Sequence, residues 1–159
     1  MPVAKIVILN WNGAEHLRRF LPSVVAAAPA GVEVMVADNG STDDSLGVLA
    51  TEFPSVGVLR LEANYGFAGG YNRALKQVEA DYYLLLNSDI ETPEGWLAPI
   101  LDVLEREPDV AVVSPKLISW TDRTKFEYAG ASGGFIDFLG YPFCRGRILR
   151  QVETDEGQY

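Results

Sequence analysis

Tyr82-Tyr83-Leu84-Leu85-Leu86-Asn87-Ser88-Asp89 decides the fold: an apolar run passes directly into a carboxamide and, two residues later, a carboxylate. Val34-Met35-Val36-Ala37-Asp38 ends in an acid in the same manner. Strands that are apolar at nearly every position are read as buried on both faces of a parallel sheet, and ligands of such sheets gather at the strands' carboxyl ends. Asp38 and Asp89 are therefore expected to share one crevice.

The flanking sequence supplies the helices that parallel pairing requires. Lys5-Ile6-Val7-Ile8-Leu9 reads as a strand, and Leu17, Phe20, Leu21, Val24, Val25 and Ala28 follow at helical spacing. Gly31 breaks that helix before a second strand over residues 33–37. Ser41-Thr42-Asp43-Asp44 has capping-box spacing and predicts a helix to about residue 51. A third strand is expected over residues 56–61 and a third helix over 68–78, with Tyr71, Ala74, Leu75 and Val78 on one side. After the strand ending at Asn87, Thr92-Pro93 reads as an N-cap with proline in the first turn, ahead of Leu97, Ile100, Leu101 and Leu104. Pro99 should kink that helix or delay its hydrogen bonding. Residues 110–113 read as a fifth short strand closed by Ser114-Pro115. This alternation implies right-handed crossovers and a three-layer α/β/α domain with a mainly parallel sheet over residues 1–116. The pattern changes over residues 117–159, where Trp120, Tyr128, Phe135, Phe138, Tyr141 and Phe143 mix with glycines such as Gly130 and Gly146. That segment reads as hairpins or a mobile loop with a polar tail.

A chain of 159 residues makes one domain of ordinary size and buries roughly two-thirds of its unfolded surface. Disulfide staples are unnecessary, and the single cysteine, Cys144, suits a reducing compartment. No apolar run approaches the ~20 residues of a membrane span, and no signal-peptide pattern opens the chain. A soluble, cytoplasmic protein is expected, with room for an acceptor at the membrane's inner face. The formal charge is −9, and residues 81–109 hold eight acids against Arg106. Such a surface repels nucleic acid. Apart from Asp89, these acids read as a solvated helix face.

The strand-end residues carry the candidate chemistry. Asp89, beside Asn87 and Ser88, has the oxygen donors that hold a divalent cation together with phosphate oxygens and water, or is simply a turn acid before Thr92-Pro93. Asp38 is either an Asx-turn acid before Asn39-Gly40-Ser41 or an acceptor for the imide N–H of uracil or thymine. Asn10 and Asn12, flanking Trp11, offer amide groups to the same crevice or cap the following helix. Asn64-Tyr65-Gly66-Phe67-Ala68-Gly69-Gly70-Tyr71-Asn72 leads into a helix whose glycines permit close backbone approach and whose N-terminus favours anions. It is neither a dinucleotide fingerprint nor a P-loop. Trp11, Tyr65 and Tyr71 either stack on a ligand ring or pack in the fold. His16 reads as a surface residue, Cys144 as an inert thiol, and Arg145, Arg147 and Arg150 as an exposed basic turn or a contact for phosphates or anionic lipid.

Taken in order, Val7-Ile8-Leu9-Asn10-Trp11-Asn12, Val36-Ala37-Asp38-Asn39-Gly40-Ser41-Thr42-Asp43, the Asn64 to Asn72 stretch and Leu85-Leu86-Asn87-Ser88-Asp89 closely resemble the family 2 glycosyltransferases of GT-A fold. The rhamnosyltransferase-like branch of polysaccharide biosynthesis looks most similar, and the resemblance covers residues 3 to about 119. It implies a nucleotide-diphospho-sugar donor, UDP- or dTDP-linked, and a glycan or lipid-linked acceptor. On the matching positions it implies donor-binding roles for Asn10, Asn12, Asp38, Asn39, Gly69, Gly70, Asn72, Asn87, Ser88 and Asp89. Asp89 matches the metal-binding acid of the family's Asp-x-Asp element, so manganese or magnesium is the implied cofactor; Asn87 replaces the first acid and is left to bond a ribose hydroxyl. An inverting reaction is implied, with a carboxylate base.

None of Asp122, Glu127, Asp137, Glu153, Asp155 or Glu156 stands in a matching base motif, so no catalytic residue is assigned. The chain reads as the donor-binding portion of a longer protein, truncated at its C-terminus, with apolar surface that a second copy can cover. Alone it is expected to bind nucleotide diphosphate weakly or not at all and to transfer no sugar. The alternative is a non-catalytic nucleotide-sugar-binding or assembly module. A phosphoryl-transfer receiver fits poorly, because Asn10 and Asn12 stand where receivers carry paired acids.

Overall fold

The computed structural model describes residues 4–127, 132–148 and 150–159; Tyr128 and Gly130 of the aromatic segment lie outside these. The chain divides into two compact units, Met1–Ala98 and Pro99–Tyr159.

In the first unit β1 (Ala4–Asn10), α1 (Ala14–Ala27), β2 (Glu33–Asp38), α2 (Ser45–Glu52), β3 (Gly57–Arg60), α3 (Gly66–Leu75) and β4 (Tyr82–Asn87) alternate as the periodicity predicts. All pairings in this sheet are parallel, in the order β3-β2-β1-β4. From β1 the chain winds outward through β2 to β3, then returns to place β4 on the other side of β1. Right-handed crossovers in opposite directions put α1 and α2 on one face and α3 on the other. Val7 and Ala37 accordingly pack against Tyr71, Ala74 and Val78, with Leu9, Met35 and Leu59 at the margin. Alternation along the strands turns Ile6, Ile8 and Val36 to the opposite face, where the inner sides of α1 and α2 supply Leu17, Leu21, Val24, Val48 and Leu49. Each such side chain, once buried, stabilises the fold by about 1.5–3 kcal/mol.

Burial on both faces holds for β1 but not for β4, where alternate residues are exposed, Leu85 to 52% and Tyr83 to 40%. β4 lies at the end of the strand order, so its apolar character does not imply cover on both sides. Two helix starts also differ from expectation. Ser41 does not open α2, which begins at Ser45: the Ser41 hydroxyl accepts from the Asn12 N–H and the Asn10 amide, and Asp44 pairs with Arg18. Thr92-Pro93 does not open α4 (Leu97–Arg106). Pro99 falls in the first turn of α4, where its missing N–H is one of the donors a helix leaves unpaired anyway, so the helix runs on to Arg106. Residues 110–113 form no strand, and Val112 is 82% exposed.

The second unit carries, after α4, an antiparallel meander of β5 (Gly134–Ile136), β6 (Pro142–Cys144), β7 (Arg147–Ile148) and β8 (Gln151–Val152), in sequence order. Phe126, 1% exposed, is the most buried large side chain among its described residues, and Gly146 lies against the Phe126 ring. No helix among the described residues is long and apolar enough to cross a membrane.

Candidate active site

β1, β2 and β4 end at one edge of the first unit's sheet. The register pairs Asn10 with Asp38 and Leu9 with Asn87, which brings Ser88 level with Asn10. With β1 between them, Asp38 and Asn87 stand two strand spacings apart, about 10 Å. The reversal of strand order at β1 makes this edge the topological switch point, where open parallel sheets bind ligands.

Asn10 lies beneath the crevice surface, not in it: the residue is 0% exposed. Its Nδ2 donates to Asp38 Oδ2 and to Ser41 Oγ, each at 3.3 Å, while its Oδ1 is buried without a partner. Asp38, 2% exposed, accepts at Oδ1 from the Ser41 N–H at 3.0 Å. The turn-acid role of Asp38 is thus realised, and the turn together with Asn10 fixes the carboxylate at the carboxyl end of β2, almost wholly buried.

Asn12 has φ 50°, a left-handed conformation uncommon outside glycine. That geometry lets its Oδ1 accept from the N–H groups of Thr42 (2.7 Å) and Asp43 (3.3 Å) while its own N–H donates to Ser41 Oγ (2.9 Å). Asp43 answers from the other loop, accepting from the Ala14 N–H at Oδ2 and the Ser45 N–H at Oδ1, both at 3.0 Å. A carboxylate beside the first turn of α1 also complements the helix dipole. Burial pushes the Asp43 carboxyl up, but the neighbouring Ser45 hydroxyl and the N–H groups of Ala14 and Ser45 outweigh it and hold the group below its usual range. The loops after β1 and β2 are stitched from both sides.

Asn39 anchors the third loop. Its Nδ2 donates to Asn64 Oδ1 and Gly66 O at 3.0 and 3.1 Å, and its Oδ1 accepts from the Tyr65 N–H at 3.0 Å. The side chain is therefore committed to the β3–α3 loop. Gly40, at φ 75°, has the Ala63 backbone so close that a Cβ would lie 2.6 Å from it. Gly70 faces inward: a Cβ there would come within 2.9 Å of Leu9 and 3.0 Å of the Asn39 amide. Its bareness serves the approach of α3 to the sheet. Gly69 and Asn72 lie one helical turn apart on α3, away from the buried Gly70, Tyr71 and Ala74, and Asn72 is exposed.

Asn87 and Asp89 are exposed and Ser88 half-buried, in the turn that leaves β4. Ser88 Oγ lies beside Gly13, whose open side also faces Asn10 Oδ1. The aromatic candidates divide. Tyr71 is core, 4% exposed, and its hydroxyl donates to Leu86 O at 2.9 Å. The Arg73 guanidinium covers the Tyr65 ring at 3.7 Å, whereas Trp11 is 55% exposed beside Asn10 and Asn12. Ser41, Asn64 and Gly13 join the site without having been singled out; Ser41 carried a signal, but one that reads equally as a local helix cap.

Two acids of the second unit are held by lysines. Asp155 pairs with Lys116 at 2.7 Å and Asp122 with Lys125 at 2.8 Å, and the Lys125 bond first, then Thr124, lowers the Asp122 carboxyl to about 2. Among the described residues no cluster of three or more His, Cys, Asp or Glu could hold a metal alone. Asp89, Ser88 and Asn87 nevertheless carry hard oxygen donors, one of them a carboxylate, of the kind that magnesium or manganese takes when phosphates and water fill the remaining positions.

Residues 5–151 match the family described as Glycosyl transferase family 2. An N-acetylglucosaminyl-diphospho-decaprenol L-rhamnosyltransferase of Mycobacterium tuberculosis is 29% identical over 124 residues, 71% of this chain and 40% of that protein. An undecaprenyl-phosphate 4-deoxy-4-formamido-L-arabinose transferase of Sodalis glossinidius is 33% identical over 113 residues, 66% of this chain and 34% of that protein. The structure of Staphylococcus aureus TarS in complex with UDP-GlcNAc superposes with TM-score 0.57 at 25% identity, covering 66% of this chain and 32% of that one. A Pyrobaculum calidifontis mannosyltransferase in complex with GDP-Man and Mn2+ shares the fold, with TM-score 0.57 at 19% identity over 73% of this chain and 34% of that one. The chain thus spans about two-fifths or less of the length of these relatives. With the family match running through all the strand-end motifs, the chain belongs to glycosyl transferase family 2.

Proposed function

We propose that this chain is the nucleotide-sugar-binding portion of an inverting, metal-assisted glycosyltransferase that moves a sugar from a UDP- or dTDP-linked donor to a glycan or lipid-linked acceptor at the membrane's cytoplasmic face. The observation that carries this reading is the shared carboxyl edge, with Asp38 on one side of β1 and the turn of Asn87, Ser88 and Asp89 on the other. Its span of about 10 Å suits a base at one end and a diphosphate at the other.

Asp38 accepts the imide N–H of the pyrimidine. A carboxylate oxygen accepts more than one hydrogen bond, so this contact adds to those from Asn10 and Ser41. Asn10 and Asn39 act from beneath, and Asn12 from its exposed turn, by holding the three loops in place. Asn87 bonds the ribose, and Gly69 and Asn72 border the diphosphate. Asp89 holds the cation, assisted by Ser88. When bound, the cation supplies positive charge against the leaving diphosphate. In the reaction the acceptor oxygen bonds to the anomeric carbon as the carbon–oxygen bond to phosphate breaks, and the acceptor's proton passes to a carboxylate base. No residue of this chain is assigned as that base. The relatives' names support the acceptor class, since two of them name polyprenyl-linked substrates.

Ligand-observed NMR titration with UDP and dTDP, with and without manganese, tests the reading on the wild-type chain and Asp89→Ala. Weak, manganese-enhanced binding that falls at least tenfold in the variant is expected. Manganese-dependent binding unchanged in Asp89→Ala removes the metal assignment, and a wild-type chain blind to both nucleotides removes the donor seat. Sugar transfer by the chain alone would show that the base lies within it.

A further inference from the structure

The β5–β6 hairpin presents an apolar surface that no packing within its unit explains. Ile136 is 75% exposed, Phe138 95%, Leu139 67% and Tyr141 67%, with Phe143 at 51% alongside. We infer that this hairpin is a membrane-docking element, whose tip enters the headgroup–acyl boundary of an anionic bilayer while the arginines at its base engage lipid phosphates.

The tip is hydrogen-bonded in the way that leaving water requires. Its one acid, Asp137, turns its Oδ1 back to accept from the N–H groups of Leu139 at 2.8 Å and Tyr141 at 2.9 Å. The Gly140 N–H donates to Asp137 O and the Asp137 N–H to Tyr141 O, both at 3.0 Å. Unpaired amide groups are the main penalty for backbone in an apolar medium, and here most of the tip's donors are already paired. Asx bonding of this kind is common in exposed turns; what sets this one apart is that Phe138 and Leu139 face outward from it.

Charge selects the partner. The chain carries −9 overall, yet residues 132–150 contain Arg145, Arg147 and Arg150 against the inward Asp137. The Arg145 guanidinium lies over the Phe135 ring at 4.5 Å, so positive charge sits directly beside the apolar patch. Aromatic and aliphatic residues capped by arginines match the interfacial layering of a bilayer with anionic lipids. The inference stands apart from the donor site, since it uses only second-unit residues, and is consistent with a lipid-linked acceptor.

Co-sedimentation of the chain with vesicles of equal parts phosphatidylglycerol and phosphatidylcholine is the test. Binding is expected to the mixed vesicles and not to pure phosphatidylcholine, and to weaken with added salt. Phe138→Ser with Leu139→Ser should abolish it, Asp137→Ala should weaken it severalfold, and replacing the three arginines by glutamine should reduce it tenfold or more. Phe138 and Leu139 are exposed, so the double variant keeps its thermal midpoint. In Phe138→Trp, added vesicles should raise and blue-shift the fluorescence relative to wild type. No vesicle binding, binding indifferent to the tip variants, or self-association lost in those variants without lipid binding would each overturn the inference, the last by assigning the patch to a second copy.

Discussion

Asn10 and Asp38 are joined twice: they are partners in the parallel register of β1 and β2, and Asn10 Nδ2 donates to Asp38 Oδ2 at 3.3 Å. Both are almost wholly buried. The crevice acid is therefore set by a neighbouring strand as well as by its own turn, and the packing that builds the sheet also aims the carboxylate.

Asn10→Asp follows from this pair. It replaces a donor with a second carboxylate beside Asp38, and two buried like charges at this distance cannot both ionise without large cost. The variant should lose about 3 kcal/mol at neutral pH. Because the folded pair retains a proton that the unfolded chain releases, its stability should fall as pH rises and recover in mild acid. Urea melts at neutral and mildly acidic pH check this; a wild-type-like midpoint at both would show that the bond contributes nothing.

Gly69 and Gly70 are adjacent in α3 but differ in what they face. At Gly69 a Cβ meets Tyr65 Cβ at 3.3 Å and the end of the Arg73 side chain at an ordinary 3.8 Å, and alanine gains helix propensity, so Gly69→Ala should hold or raise stability by up to about 1 kcal/mol. At Gly70 a Cβ presses Leu9 and the Asn39 amide, which its bonds to Asn64 and Gly66 hold in place. Gly70→Ala should lower stability by about 1–2 kcal/mol through overpacking. Nucleotide affinity should fall with it, as the β3–α3 loop shifts. Equal thermal midpoints for the two variants would remove the distinction.

This contrast shows where sequence reading succeeds. Alternation of Lys5-Ile6-Val7-Ile8-Leu9 with Leu17, Phe20 and Leu21, repeated through β4, makes the parallel sheet legible because period and order are local signals. Asp38 and Asn87 at strand ends follow directly. Gly70 does not, since a glycine required by Leu9 looks the same as one required by a phosphate. The spacing of Ser41 and Asp44 suggested a local cap, whereas the Ser41 hydroxyl accepts from the Asn12 N–H and Asp43 from the N–H of Ala14, contacts between distant segments. Residues 110–113 were apolar enough for a strand, but an apolar run forms one only where a partner edge is available, and Val112 is exposed instead. The rhamnosyltransferase-like resemblance agrees with the Mycobacterium tuberculosis relative.

Asp43→Asn tests the stitch between the first two loops. Its carboxyl is held below the usual 3.8, because the hydrogen bonds around it outweigh burial. A depressed folded-state value means that the group's contribution is complete above the unfolded value and is lost as pH falls through the folded one. The variant should lose about 1 kcal/mol at neutral pH, the worth of a helix cap. The gap from wild type should close in acid, below the ordinary carboxylate range. Denaturant midpoints across that range decide; a gap constant with pH would mean that the charge is irrelevant.

Tyr71→Phe probes how α3 holds the turn that leaves β4. The hydroxyl donates to Leu86 O, one residue before Asn87, and burial raises its pKa, so it stays protonated and donating throughout the neutral range. Removing it should cost about 1 kcal/mol of global stability, the net value of one hydrogen bond. The sharper consequence is local. β4 lies at the end of the strand order, with β1 as its partner; the Tyr83 hydroxyl ties its first residues to Val78 O, and the Tyr71 hydroxyl ties its last. Amide exchange should quicken selectively at the end of β4 and in the turn of Ser88 and Asp89, while β2 keeps its protection. If exchange quickened uniformly across the sheet, the hydroxyl would be a stabiliser of the core and not a tether for the turn.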